Sequence, residues 1–158
     1  MNSQLVVLAL YRMSVSALLP CFIYVTELFS GCYLLTKEEY VKRYGDVTEM
    51  ELFHATSAHN IPSITRNNLD WRRSVRTKFR EGVSFSPSAR YAKLHCNRNN
   101  PPWRAMFVAK VLVHSSCSGY STMRLPSRAD TSTGNSGSVY VKYRDSEFYP
   151  TYVAYYHS

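Results

Sequence analysis

The chain has 158 residues, of which 45% are hydrophobic, and it carries a formal net charge of +8. This length suits one domain that buries a core without needing disulfides, and the composition excludes wholesale disorder. The positive charge favours anionic partners such as nucleotides, nucleic acid or an acidic membrane surface, and it does not choose among them.

The first 35 residues are a hydrophobic leader that we treat apart from the rest. Its apolar runs at 5–10 and 15–25 are interrupted by Arg12, Pro20 and Glu27. No basic residue precedes the first run, as a secretory signal requires, and Glu27 would lie inside any membrane span. A weak membrane anchor, a buried helix and an imperfect gene model stay open for this segment, and a membrane partner is not expected.

Residues 36–158 are predicted to form one domain that begins with a short helix. The run 36–39 has the form of a capping box and Gly45 is a helix stop, so we expect a helix over 37–44. A brief strand over 51–54 should break at 55–57. The spacing of the isoleucines within 57–67 then predicts a second helix, with its proline in the first turn.

The middle of the domain predicts a helix between two strands. Residues 82–86 are short and extended, and Ser86 or Ser88 is a suitable cap for a helix that runs to about residue 95. The run 104–114 is almost continuously apolar. This pattern predicts a strand that is buried on both faces.

The last third of the domain predicts a loop and two strands. A Ser/Thr/Gly-rich loop over 115–137 precedes strands at 138–143 and 152–157, and Pro150 lies in the turn between them. The fold class is therefore α+β, with a mainly antiparallel sheet and helices placed early.

The cysteines form no recognisable framework. No two of them have Cys-x-x-Cys spacing, and no histidine lies at the sequence spacing typical of a metal site. We therefore expect no metal, and mostly buried, reduced thiols. Reduced thiols favour a nuclear or cytoplasmic location. The four cysteines are Cys21, Cys32, Cys96 and Cys117.

Six short strings occur in the order and at the separations of one known family. They are Leu-Phe-His-Ala-Thr at 52–56, Asn-Leu-Asp-Trp-Arg at 68–72, Gly-Val-Ser-Phe-Ser at 82–86, Ala-Arg-Tyr-Ala at 89–92, Met-Phe-Val-Ala-Lys-Val-Leu-Val at 106–113 and Tyr-Pro-Thr-Tyr-Val at 149–153. Together they resemble the catalytic domain of the poly(ADP-ribose) polymerase (PARP) family over 49–157. The second string resembles the mono-ADP-ribosylating branch that includes the zinc-finger antiviral protein. The resemblance implies a split, mainly antiparallel sheet and NAD⁺ as substrate.

The resemblance also implies a triad that handles the ribose and the nicotinamide of NAD⁺. The family uses His, Tyr and Glu, and its mono-transferring branch replaces Glu with an aliphatic residue; the matching residues here are His54, Ser84 and Val139. His54 is expected to hydrogen-bond the ribose distal to adenosine. Ser84 has no ring to stack on nicotinamide. Val139 cannot activate an acceptor sugar, so elongation to a polymer is not expected.

Further positions are implied by the resemblance to bind NAD⁺. Ala55 replaces a glycine whose backbone grips the nicotinamide amide, and Thr56 and Phe85 belong to the same motifs as the triad. Ala92 falls at a serine that would bond the amide, which a methyl group cannot do. His95 falls at a second stacking tyrosine.

Two functions of different classes stay open. One is NAD⁺-dependent transfer of a single ADP-ribose to a protein acceptor, a glycosyltransferase reaction. The other is a pseudoenzyme that binds protein or RNA, favoured by the altered pocket and by Arg80 at a loop glycine. A basic segment over 66–104 suits a pyrophosphate, RNA or an acidic partner. Its members are Arg66, Arg72, Arg73, Arg76, Lys78, Arg80, Arg90, Lys93, Arg98 and Arg104.

Overall fold

The computed structural model describes residues 30–74, 78–79, 81–96 and 103–157. Within these ranges the chain forms three α-helices, seven strands and three short 3-10 turns. The helices are α1 (Ser30–Tyr44), α2 (Ile61–Asn67) and α3 (Ala89–His95). The strands are β1 (Thr48–Ser57), β2 (Val83–Phe85), β3 (Trp103–Val113), β4 (Ser116–Ser118), β5 (Thr131–Gly134), β6 (Val139–Lys142) and β7 (Phe148–His157).

The strands form two mostly antiparallel sheets, which confirms the predicted α+β class. The first sheet has the order β1-β3-β7 and the second β2-β6-β5-β4, in which β4 and β5 are parallel. Among the described residues, one isolated bridge joins the sheets: Phe53 and Ser86 exchange backbone hydrogen bonds of 2.7 and 2.9 Å. The architecture is compatible with the split sheet that the resemblance implies.

The main hydrophobic core lies between the two sheets. Leu52 and Phe148 of the first sheet pack with Val83 and Phe85 of the second, and all four are at most 5% exposed. Burial of side chains of this size stabilises a fold by roughly 1.5–3 kcal/mol each. The core therefore holds the two sheets together.

The central strand β3 is fully buried along one face and only in part along the other. Its odd-numbered side chains from Ala105 to Val111 are at most 1% exposed, whereas Met106 and Val108 on the other face are half-buried. The prediction of burial on both faces was therefore wrong. On the second face α1 covers one end of the strand, where Leu112 is buried under Tyr33 and Tyr40.

Helix α1 begins earlier than predicted. Thr36 lies inside the helix, where its hydroxyl donates to the carbonyl of Cys32 at 2.9 Å, so it is not the cap. The predicted end is confirmed, since Gly45 follows Tyr44 with a left-handed φ of 82°. The helix therefore crosses the expected boundary at residue 35. Residues 1–29 of the leader lie outside the described residues.

Aromatic side chains attach α1 to the first sheet. Tyr33 and Tyr40 are at most 4% exposed and pack on Leu112 of β3. The Tyr33 hydroxyl also donates to Glu49 at 2.8 Å, and Tyr40 donates to the buried Glu147. The helix is thus tied to the domain by both apolar and polar contacts.

Two strands are longer than the sequence indicated. Strand β1 continues through residues 55–57, because its whole length pairs with β3. Strand β7 begins at Phe148 and contains Pro150, which was predicted in a turn. Proline is tolerated there because β7 is an edge strand with a bulge, where Thr151 donates to the carbonyl of Val108 at 2.9 Å.

The predicted loop over 115–137 contains β4 and β5. Both strands are rich in serine and threonine and lack apolar alternation, so their pairing was not visible in the sequence. The shorter elements were predicted correctly: α2, β2, α3 and β6 all form, and Ser88 caps α3 by accepting from the Tyr91 amide at 3.2 Å.

Two further predictions concern thiols and membranes. Cys96 is buried, but Cys32 is exposed and Cys117 is half-buried, so the expectation of mostly buried thiols was wrong for the cysteines that are described. Over the described ranges, no helix has the length and apolar character that crossing a membrane requires.

Candidate active site

A cleft of about 710 Å³ opens where β1 and β2 separate beyond the Phe53–Ser86 bridge. Its walls come from the two strands, α2 and the 3-10 turn that follows, α3, and the turn between β5 and β6. The structure brings all the predicted site residues to this cleft, although their roles stay predictions. They are His54, Ser84, Val139, Ala55, Thr56, Phe85, Ala92 and His95.

His54 projects from β1 into the cleft and is fixed by one hydrogen bond. Its Nδ1 lies 2.9 Å from the carbonyl oxygen of Ser84, and its ring rests against Phe85 with the centroids 5.8 Å apart. A carbonyl only accepts, so Nδ1 carries the proton. Burial lowers the pKa of His54 and outweighs the opposing effect of the Ser84 carbonyl. The imidazole is therefore neutral, with Nε2 as an acceptor.

Ser84 lies in the middle of β2 with its side chain exposed to the cleft. Val83 and Phe85 on either side of it point into the core. Ser84 thus contributes its carbonyl to the orientation of His54, while its small side chain leaves the cleft wide at this point.

Ala55 turns its backbone polar groups toward the cleft. Residues of an antiparallel strand alternate between bonding their partner and pointing away from it. The backbone N–H and C=O of Phe53 bond Ser86 and so point away from β3. Ala55 lies two residues further, so its backbone groups also point away from β3. The extended backbone accepts alanine without strain, because positive φ values fall elsewhere.

The other predicted residues give the cleft a mostly apolar lining. Phe85 is 1% exposed and packs on Phe148, so any contact of Phe85 with a ligand would come from its backbone. Ala92 and Val139 are 9% and 6% exposed and offer only hydrocarbon. Thr56 is the polar exception, with its hydroxyl accepting a 3.0 Å hydrogen bond from Asn60.

Tyr91 is a cleft residue that the sequence analysis missed. Its ring lies against the His95 ring with centroids 4.1 Å apart, and its hydroxyl accepts a hydrogen bond from Asn135 in the β5–β6 turn. The spacing of four residues on one helix was the available signal, since it puts both rings on the same helix face. The cleft therefore has an aromatic wall despite Ser84.

Cationic side chains form part of the cleft lining. Arg72 is already engaged, because it bonds Asp70 and Asp145 at 2.9 and 3.2 Å. Arg73 is 75% exposed and only 3.9 Å from Asp70, and Lys78 is also exposed. These last two side chains give the rim of the cleft a positive charge.

The basic segment does not form one solvent-exposed face. Arg104 is 6% exposed within β3, whereas Arg90 and Lys93 of α3 are exposed. Arg76, Arg80 and Arg98 lie outside the described residues. Among the residues that are described, no three His, Cys, Asp or Glu side chains are grouped as a metal would require.

Comparison with known proteins relates the chain to one family. Protein mono-ADP-ribosyltransferase PARP12 from Homo sapiens is 30% identical over 122 residues, and its counterpart from Mus musculus is 30% identical over 123. The chain is distantly related to these enzymes. Each match covers 70% of this chain and 17% of the relative's length. No protein-family model matches the chain.

Proposed function

We propose that the chain is an NAD⁺-dependent protein ADP-ribosyltransferase domain that transfers one ADP-ribose and does not elongate it. The observation that carries the proposal is the convergence of His54, Ser84 and Val139 on one cleft in a chain related to mono-ADP-ribosyltransferases. The further assignment to the branch with the zinc-finger antiviral protein rests on the string at 68–72.

The backbone of Ala55 is suited to hold the carboxamide of nicotinamide. A carboxamide presents an NH2 group that donates and a carbonyl oxygen that accepts, and the outward C=O and N–H of Ala55 offer the complementary pair. Because both contacts are made by main chain, the change from glycine to alanine leaves them intact. Tyr91, backed by His95, supplies an aromatic surface for the flat ring.

The neutral His54 is suited to hold the ribose. Its Nδ1–H is committed to Ser84, so Nε2 accepts from a ribose hydroxyl. NAD⁺ supplies the reactive bond between nicotinamide and ribose, which breaks as an acceptor side chain bonds to the ribose carbon. His54 orients that ribose without adding a positive charge beside it, because its pKa is lowered by burial.

Val139 limits the reaction to one transfer. Its side chain is 6% exposed and contains no polar atom. To add a second ADP-ribose, a side chain at this position would have to take a proton from a hydroxyl of the first one. Valine cannot accept that proton. A protein side chain is consequently the proposed acceptor.

The binding energy of the missing contacts indicates that NAD⁺ binds weakly. The missing hydrogen bond at Ala92 is worth about 0.5–1.5 kcal/mol, and the missing ring at Ser84 about 0.5–1.5 kcal/mol. Together they weaken affinity roughly 5- to 150-fold relative to a pocket that has both. Arg73 and Lys78 are available to pair with the pyrophosphate, which would offset part of this loss.

A second candidate function is a pseudoenzyme that binds protein or RNA. Two observations favour it: Ser84 and Ala92 both lack the groups that nicotinamide needs, and the exposed Arg73 and Lys78 suit an anionic partner without any catalysis. This function predicts binding of polyanions in the absence of NAD⁺ turnover.

Incubation with labelled NAD⁺ tests the proposal. We expect label in the protein or in an added acceptor protein, as mono-ADP-ribose after release, and a loss of at least tenfold in His54→Ala. His59→Ala is the matched control, since it removes an exposed histidine outside the cleft and should label like the wild type. Labelling equal in the wild type and in His54→Ala favours the pseudoenzyme.

A further inference from the structure

The turn between β5 and β6 crosses to α3 through one side-chain contact. Asn135 Nδ2 donates to the hydroxyl of Tyr91, and both residues line the cleft. Tyr91 is held at two further points: its amide donates to Ser88, and its ring lies against His95. Its phenol is thus fixed by a residue that is 44 positions away in the chain.

The turn that carries Asn135 has an unusual backbone. Asn135 and Ser136 have left-handed φ values of 49° and 52°, and Gly137 follows at 82°. Left-handed residues other than glycine are uncommon, although asparagine tolerates this region better than most. Such conformations persist where the surroundings hold them, and they recur at ligand clamps.

The base of the same hairpin is anchored beside the cleft. A Cβ on Gly134 would lie 2.3 Å from the ring of Phe79, so the strand and this ring are in close contact. Val139, which pairs with Gly134, is buried against the cleft from the other strand. The hairpin is therefore fixed at its base, and Asn135 extends from it to Tyr91.

We propose that Asn135 is a positioning residue, which sets the Tyr91 ring before an aromatic ligand binds. The inference rests on the proposed function. One face of the Tyr91 ring is taken by His95, and the hydrogen bond to Asn135 prevents the ring from turning away from the cleft. A ligand ring then meets a preformed surface and does not have to order Tyr91 itself, which raises affinity.

A double-mutant cycle tests this role, with NAD⁺ and a benzamide-type nicotinamide mimic as the probes in calorimetry. Asn135→Gly removes the amide while glycine keeps the left-handed backbone, and Tyr91→Phe removes the hydroxyl while keeping the ring. Each variant should weaken binding by about 3- to 10-fold, as loss of one neutral hydrogen bond predicts. The double variant should bind as weakly as either single variant, and no weaker.

Two controls separate positioning from a structural effect. Ser136→Gly changes the neighbouring left-handed residue and should leave binding within about twofold of the wild type. Asn135→Asp restores a hydrogen bond, because its carboxylate accepts from the Tyr91 hydroxyl, and should recover most of the affinity.

The possible failures are distinguishable. Losses that add in the double variant, or full affinity in Asn135→Gly, would overturn the positioning role while the proposed function stands. A wild-type protein that binds neither probe would overturn the proposed function and this inference with it.

Discussion

The Nδ1 atom of His54 lies 2.9 Å from the carbonyl oxygen of Ser84, and this contact joins the two sheets at the opening of the cleft. It sets the tautomer of the imidazole and thereby leaves Nε2 as the acceptor. The serine at this position has lost the ring that the family resemblance implies, yet its backbone still orients the histidine. Under the proposed function, His54 is oriented to accept from a ribose hydroxyl, while the groups expected to contact nicotinamide are reduced.

Restoring the missing groups should strengthen NAD⁺ binding. In Ser84→Tyr/Ala92→Ser the new ring has room, because the Ser84 side chain faces the cleft, and the new hydroxyl supplies a hydrogen-bond partner. The gain of one aromatic contact and one hydrogen bond predicts about 5- to 150-fold tighter binding by calorimetry. Ser116→Tyr, on the exposed β4, should leave affinity unchanged. Equal affinity in both variants would mean that these positions do not contact nicotinamide.

Protonation of His54 should destabilise the protein in mild acid. Burial lowers its pKa in the folded state, so below pH 6.5 the unfolded chain binds a proton that the folded chain does not. Stability should be full above pH 6.5 and fall as the pH drops toward the lower folded pKa. Urea unfolding between pH 7 and pH 5 should show this loss in the wild type and in His59→Gln. A His54→Gln variant with the same slope as the wild type would contradict the assignment.

Lys142 should be among the costliest polar residues to replace. Its side chain is fully buried and pairs with Asp130 and Glu147 at 2.8 and 3.1 Å. Lys142→Met leaves the buried Glu147 and the largely covered Asp130 without their cation, which predicts a loss of about 3–5 kcal/mol in the free energy of unfolding. The exposed ion pair of Arg43 is the matched control, and Arg43→Met should leave the free energy of unfolding almost unchanged. Similar losses in the two variants in urea titrations would refute the distinction.

Glu49 should contribute stability that disappears in strong acid. Burial raises its pKa, but hydrogen bonds from Lys37, Tyr33 and Lys110 outweigh burial and lower the pKa to about 2. The contribution is therefore complete above the unfolded pKa of roughly 4.3 and is lost as the pH falls toward 2. Glu49→Gln should be about 1–2 kcal/mol less stable at pH 7. The difference from the wild type should shrink between pH 4.5 and pH 2, and a constant difference would contradict this account.

The parts of the fold that could be predicted are those with a local signal. The apolar run of β3, the Ser88 cap of α3 and the glycine after α1 each specify an element within a few residues. Strands β4 and β5 gave no such signal, because their serines and threonines become strand only through pairing with neighbours distant in the chain. Pro150 was wrongly predicted in a turn for the same reason, because a proline is tolerated in this strand only since β7 lies at the edge of the sheet.

The candidate site was predictable to the extent that short strings carried it. Every predicted site residue lines the cleft, because the strings in β1, β2 and α3 converge where the sheets separate and Val139 reaches the cleft from β6. Tyr91 was missed although it lies within one of the strings, since only the helix geometry shows that it shares a face with His95. Asn135 was missed because its contact with Tyr91 joins distant parts of the chain.

Calorimetric titration of the wild-type protein and His54→Ala with NAD⁺ is the most direct measurement of the central claim, that this cleft binds a dinucleotide. The account predicts saturable binding with a Kd of about 1 mM, the weak end of the affinity scale, and at least fivefold weaker binding in His54→Ala. Absence of binding at about 10 mM NAD⁺, or equal affinity in the two proteins, would contradict it.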